Sequence, residues 1–287
     1  MKRKQIFHIV WIIVMILLSL IIITPILIMF FTSFKTAVEI GGANFKILPE
    51  QWNLDNYVQA MSTGNWPLYF KNSLTITIVA VVFSLLFNSI AGYAFARLNF
   101  PGKNLLFGFL LMGLMMPQQV SMLPTFLIMA KFPMLGGNDL FGNGGSGLMN
   151  TLPGLVIPLV SGSFGVFLCK QFYENFPKAL DEAAVIDGAG KWRIYFEIYV
   201  PNSKVILATL SLLKGVSVWN DYLWPLVMTN NEGMRTVQLA LSLFNGETTT
   251  DWGPMMAASV LVCLPMVLLF LVAQKYFVQG VVSTGLK

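Results

Sequence analysis

Charge is what this chain has least of: of 287 residues only 11% are Asp, Glu, Lys or Arg, against roughly 25% in an ordinary soluble domain. So few charges cannot cover a water-facing surface, and they are also withheld from long stretches. Residues 5–34, 72–96, 104–130, 140–169 and 252–274 contain none. Each run exceeds the roughly 20 residues that a helix needs to cross a hydrocarbon core. Five such runs in one chain exclude a soluble protein with a few buried apolar helices. Histidine is represented by His8 alone, which excludes a multi-histidine metal site and a Ser-His-Asp arrangement. The cysteines, Cys169 and Cys263, lie inside apolar runs without metal-ligand spacing and read as small packing residues. No G-x-x-x-x-G-K-S/T occurs, so this chain does not carry the P-loop of an ATPase.

What is present is a chain that is 56% hydrophobic with a formal net charge of +5. The 18 basic residues form no cluster beyond Lys2, Arg3 and Lys4, so no nucleic-acid surface is expected. Six spans are predicted at about 9–31, 73–96, 105–129, 152–172, 205–228 and 255–274 in a single domain over 1–287. The first apolar stretch is too long for a signal-peptide core and lacks an A-x-A-like site, so it is expected to stay as an uncleaved span. Six spans place both termini on one side. With the termini, the 97–103 turn and the 170–204 loop in the cytoplasm, that side holds Lys2, Arg3, Lys4, Arg97, Lys103, Lys170, Lys178, Lys191, Arg193, Lys204, Lys275 and Lys287. The other side holds Lys35, Lys46, Lys71, Lys131 and Arg235. The positive-inside bias therefore puts both termini inside.

Lys214 falls within the fifth span, about ten residues or roughly 15 Å from its cytoplasmic end. A cation there either faces a water-lined path or a partner, or snorkels to an interface if the span starts late. Residues 131–148, KFPMLGGNDLFGNGGSGL, are dominated by glycine. Without a preceding strand or a G-K-S/T ending they read as a flexible surface loop.

The segment 175–208, NFPKALDEAAVIDGAGKWRIYFEIYVPNSKVILA, is a soluble-looking helix pair between two spans. Pro177 suits a first helical turn, Asp181 and Glu182 favour its positive end, and Gly188 with Gly190 breaks it. A second stretch, 191–199, is expected to end at Pro201. Small residues on the first helix, Ala183 and Ala184, let another protein approach the backbone, which makes this a docking element.

Glu182, Ala183, Ala184, Asp187, Gly188 and Ala189, with Phe196, Ile198 and Pro201 downstream, resemble the EAA loop of ABC importer permeases, E-A-A-x-x-D-G-A followed by F-x-I-x-x-P. The resemblance extends through AGYAFARLNFPGK (91–103), GLMNTLPGL (147–155), WNDYLWPL (219–226) and QKYFVQG (274–280) to the carbohydrate permeases of the maltose type, in particular the smaller, six-span permease. The glycine-rich 135–146 stretch departs from that pattern. The resemblance implies an all-α membrane protein of the type I ABC importer permease fold, with a cytoplasmic EAA coupling-helix loop at about 175–203. It further implies the bacterial cytoplasmic (inner) membrane as location, a second permease subunit, two cytoplasmic ABC ATPase subunits that hold the ATP and Mg, an extracytoplasmic solute-binding protein and a sugar substrate. No cofactor on this chain and no enzymatic activity are implied. Within the loop, Glu182 to Ala189, Ile198 and Pro201 would transmit closure of the ATPases.

The fifth span adds a candidate solute path. Trp219, Asn220, Asp221, Tyr222 and Trp224, with Lys214, combine rings that stack on sugar faces with groups that bond hydroxyls; the same residues also fit an interfacial aromatic belt ending at Pro225. Lys214 and Asp221, seven apart, share a face only if the helix stays regular between them. Alternatives are a permease for glycerol phosphate, a polyamine or an amino acid, a membrane-embedded enzyme, and an ion-coupled transporter. The last would leave the docking loop without a purpose.

Overall fold

In the computed structural model the backbone is described for residues 2–42, 46–246 and 249–284, and side chains up to Gln274 except residues 2–4, 6 and 273. Lys2, Arg3, Lys4, Lys275, Lys287 and nearly all of the 274–280 motif, used above for orientation and resemblance, lie outside the described side chains. Among the described residues no β-strand is present, and one isolated bridge joins Asn245 to Thr250.

The helices, in chain order, are α1 (Lys2–Thr32), α2 (Ala37–Gly41), α3 (Asp55–Ser62), α4 (Trp66–Arg97), α5 (Lys103–Met115), α6 (Gln118–Ala130), α7 (Leu152–Val156) and α8 (Ser163–Glu174). There follow α9 (Lys178–Ile186), α10 (Lys191–Ile194), α11 (Val200–Asn202), α12 (Lys204–Trp219), α13 (Leu223–Met228), α14 (Val237–Ala240) and α15 (Trp252–Thr284). Three of them contain stretches long and apolar enough to cross a bilayer, namely Phe7–Thr32, Trp66–Arg97 and Trp252–Val272. Two pairs meet that test only when each is taken together: α5 with α6, bent by 108°, and Leu152–Leu159 with α8, bent by 45°. Residues 105–129 and 152–172, each read above as one span, are thus each two helical pieces meeting at a bend. Pro117 stands at the first break and lacks an N–H to continue the ladder. The predicted fifth span is likewise two short helices, α12 and α13, separated at residues 220–222.

The chain divides into two compact units. Residues 1–66 with 240–265 form one. In it α1 carries apolar side chains all round and buries none of its hydrophobic length within the chain, as expected of a helix whose solvent is lipid. Beyond it, Asn56 donates to the carbonyls of Ser33 (3.0 Å) and Lys35 (2.7 Å), and Ser33 pairs with the Tyr57 hydroxyl at 2.8 Å. Thr36 and Glu39 make a capping box that starts α2.

Residues 67–239 with 266–287 form the other unit. Its packing depends on small residues. A Cβ placed on Gly92 would stand 2.4 Å from the Cys169 Cβ, and one on Gly165 would stand 2.4 Å from Asn88 Nδ2, so α4 and α8 touch at backbone distance. Cys169 is fully buried in that contact, as expected, whereas Cys263 is exposed on α15. One buried cluster joins Ile76, Met129, Leu155, Val218, Trp224 and Met228. A second gathers Tyr93, Cys169, Tyr173, Ala184, Tyr195 and Tyr199 beside the loop between α8 and α12. The glycine-rich stretch has a defined course: Asn138 Nδ2 donates to the carbonyls of Ala130 and Phe132, both at 3.0 Å, and Gly136, Gly142 and Gly147 take positive φ where a side chain would strike backbone.

Gly92→Ala should destabilise the protein by about 1–3 kcal/mol through overpacking. Gly190→Ala, where a new Cβ meets nothing within 4 Å, should stay within about 0.5 kcal/mol of wild type. Thermal unfolding of the two variants in detergent checks the contrast.

Candidate coupling loop and solute path

The loop between α8 and α12 is built around one helix ending. Pro177 precedes the first residue of α9 with φ −58° and ψ 131°, so its missing N–H falls where none is needed. At the other end the Gly188 N–H donates to the Val185 carbonyl at 3.0 Å and the Ala189 N–H to the Ala184 carbonyl at 2.9 Å. This is the paired bonding of a Schellman motif, with Gly188 at φ +76° in the left-handed position. The order Ala-x-x-Asp-Gly-Ala is therefore a capping sequence: Asp187 caps the helix just past Ile186, Gly188 turns the chain, and Ala189 closes the second bond.

After Gly190 the chain enters α10, and the expected stop at Pro201 does not occur. A π-helical turn, Tyr195–Tyr199, precedes α11, and Pro201 sits within that helix. A widened turn absorbs the hydrogen bond that proline cannot make, which lets helix continue past it.

Of the expected coupling residues, Glu182, Ala183, Asp187, Gly188 and Pro201 are exposed, Ala189 and Ile198 half-buried, and Ala184 buried in the tyrosine cluster. The outer face also presents Val185, Ile186, Trp192 and Phe196, with Ile186 86% exposed; Trp192 and Phe196 stack with ring centroids 6.2 Å apart. On water this would be a costly apolar patch, and such patches mark contact surfaces.

The inner face holds residues that sequence reasoning missed. The Tyr199 hydroxyl donates to both Asp181 oxygens at 2.9 Å. The Tyr195 hydroxyl donates to Ser89 Oγ at 2.9 Å, and Ser89 is 2.5 Å from the Tyr173 hydroxyl. Arg97 lies against Asp181 and the end of α8. These partners are separated by up to 106 positions, and no local spacing signals them. Burial first, then the Asp181 carboxylate, pushes the Tyr199 phenol above its ordinary value near 10, and burial raises Tyr195 as well.

The candidate path residues are divided by the fold. Lys214, Asn220, Asp221 and Tyr222 line one open cleft of about 820 Å³, together with Gln118, Ser121 and Ser161 to Ser163. Helical regularity between Lys214 and Asp221 is not what joins them, because α12 ends at Trp219. Asp221 and Trp224 also line a smaller adjoining cavity of about 150 Å³ with Gln118, Gln119 and Thr125. Trp224 is 5% exposed, and its indole Nε1 is buried with no hydrogen-bond partner. Trp219 lines neither space; it is 2% exposed, and its ring lies 6.3 Å from that of Phe70. The polar pair Gln118–Gln119 directly after Pro117 was the available clue to the residues missed here. Among the described residues no cluster of His, Cys, Asp and Glu is suited to a metal ion.

Residues 88–283 match the family model of the binding-protein-dependent transport system inner membrane component. The chain is 32% identical to the arabinooligosaccharides transport system permease protein AraQ of Halalkalibacterium halodurans, with both chains covered in full. It is 30% identical to the diacetylchitobiose uptake system permease protein NgcG of Streptomyces coelicolor, over 94% of this chain and 86% of that one. Its fold matches a chain of a bacterial ABC transporter involved in the import of the acidic polysaccharide alginate, with a TM-score of 0.81, 23% identity, and coverage of 96% and 98% of the two chains.

Because the folded chain holds the Tyr199 proton more tightly than an unfolded one does, this hydroxyl contributes stability that is complete below the unfolded value near pH 10. That contribution is lost as pH rises through the folded value. Tyr199→Phe should therefore lose less stability than wild type above about pH 10, by on the order of 1 kcal/mol per pH unit. Unfolding midpoints measured across that range give the comparison.

Proposed function

The chain belongs to the family of binding-protein-dependent transport system inner membrane components, and from that premise we propose that it is one of two permease subunits of an ATP-driven sugar or oligosaccharide importer. It is a multi-pass protein, which we orient with both termini in the cytoplasm. Six crossings follow if each broken helix pair, including α12 with α13, counts as one. The companion permease would cover the open side of the cleft. Two cytoplasmic ATPase subunits would hold ATP and Mg, and an extracytoplasmic binding protein would deliver the solute. This chain's part is mechanical rather than enzymatic.

The observation that carries this reading is the exposed surface of α9 and the following turn. Glu182, Val185, Ile186, Trp192 and Phe196 stand outward on a helix pair fixed at Gly188. A groove on an ATPase subunit would bury those apolar groups, and Ala183 would let it reach the backbone. Closure of the ATPases would then displace α9, and the displacement would open the membrane helices outward, giving alternating access.

The solute class is supported by the oligosaccharide permeases among the relatives and by the cleft's lining. Gln118, Gln119, Asn220, Asp221 and Tyr222 offer donors and acceptors for hydroxyls, and Trp224 an unused indole N–H. Lys214 in the same cleft is the feature that would suit a glycerol phosphate or another anion. Asp221 beside it offsets that charge and favours a neutral solute.

The test is ATP hydrolysis by the complete complex in nanodiscs with binding protein and a panel of arabinotriose, maltotriose, diacetylchitobiose and glycerol 3-phosphate. A sugar should stimulate, and stimulation by glycerol 3-phosphate alone would replace the sugar reading. Glu182→Ala should lower solute moved per ATP by at least about fivefold without reducing membrane insertion; normal uptake by that variant would remove the coupling role. Asn220→Ala and Trp224→Ala should reduce uptake more than yield of the complex, and equal losses would make both residues structural.

A further inference from the structure

Apart from the chain itself, movement at the outer surface of α9 reaches the membrane helices through whatever holds its inner side. Arg97 is the last residue of α4, and its side chain is 8% exposed. One Nη donates to the carbonyl of Tyr173 at 2.8 Å and to that of Phe176, at the end of α8. The other Nη stands 3.5 Å from Asp181 Oδ2 in the first turn of α9. Asp181 accepts the Tyr199 hydroxyl on both oxygens, and the Arg97 Cζ lies 5.5 Å from the centre of the Tyr199 ring. A single buried cation thus joins α4, the end of α8, α9 and the π turn before α11.

The junction is also only half engaged. Arg97 Nε is buried with no hydrogen-bond partner, and the Arg97–Asp181 separation of 3.5 Å exceeds the roughly 2.7–2.9 Å of a charge-assisted bond. A static arginine–carboxylate pair gains most from two parallel bonds. Here the Nη that would make the second parallel bond is committed to the Tyr173 and Phe176 carbonyls and the first stands at long range, so a shift of less than about 1 Å between α9 and α4 would bring that single contact to charge-assisted length.

We propose that Arg97 and Asp181 form the strut through which displacement of α9 reaches α4 and α8. Asp181 is a positioning residue, acting through Arg97 and touching neither ATPase nor solute. The inference rests on the coupling role given above to Glu182–Ala189, and its test separates the two. Asp181→Asn and Tyr199→Phe preserve shape on the inner face, while Glu182→Ala alters only the outer one. In proteoliposomes holding the whole complex, solute moved per ATP hydrolysed is measured with whichever of arabinotriose, maltotriose and diacetylchitobiose stimulates, alongside the yield of assembled complex.

Asp181→Asn should lower the ratio at least about fivefold at a yield within about twofold of wild type. The pair Arg97→Gln with Asp181→Asn should do no worse than the worse single change, since both act on one contact. An unchanged ratio in Asp181→Asn while Glu182→Ala uncouples overturns the strut and leaves the coupling loop standing. An unchanged ratio in all variants overturns both. Loss of assembled complex in Asp181→Asn and Tyr199→Phe alike, in proportion to lost uptake, assigns the contact to folding and also overturns the strut.

Discussion

In hydrocarbon there is no water to take over a peptide group that leaves its helix, so each interruption of a membrane segment has to bring its own partner. This chain interrupts three segments and meets that demand differently each time. At 116–117 the break falls on Pro117, which has no N–H to satisfy. At 161–162 the Gly162 N–H and the Ser161 hydroxyl both go to Asn88 Oδ1, at 3.1 and 3.3 Å, while Asn88 Nδ2 is held by Ser84. At 220–222 the Asp221 carboxylate receives the Trp224 N–H at 3.2 Å. The same three places supply polar lining to one cleft. Breaking a helix releases polar groups, and grouping the breaks concentrates them in that cleft.

The opposite demand acts between the helices. Lipid offers no hydrophobic incentive for two apolar helices to associate, so their attraction comes from close packing and hydrogen bonds. Gly92 and Gly165 bring α4 and α8 to backbone contact, and Ser89 and Tyr173 bond across the gap they create. That tight pair continues into the tyrosine cluster and Arg97, so a buried, hydrogen-bonded layer backs the exposed face of α9.

Much of this was legible in order along the chain. Charge-free runs located the apolar helices, and Gly188 with its neighbours marked a helix ending. The helix pair between α8 and α12 showed itself because its charges and small residues interrupt an apolar background. What stayed hidden depended on direction rather than type. Trp219 and Trp224 look equivalent in WNDYLWPL, yet Trp219 packs on Phe70 while Trp224 turns toward a cavity. The helix boundary at Asn220 separates them.

By itself the sequence determined the class of solvent, the rough position of the apolar segments, and the helix ending at Gly188 with its capping chemistry. Those properties depend on composition and on residues within a few positions of one another, where helical geometry fixes who meets whom. Only the tertiary structure decided that α5 and α6 fold back at 108°, that Lys214 and Asp221 share a cleft across a helix end, and that Arg97 meets Asp181. Arg97 and Asp181 lie far apart in the chain, and the other two depend on how a break turns the helix that follows it, which no linear spacing encodes.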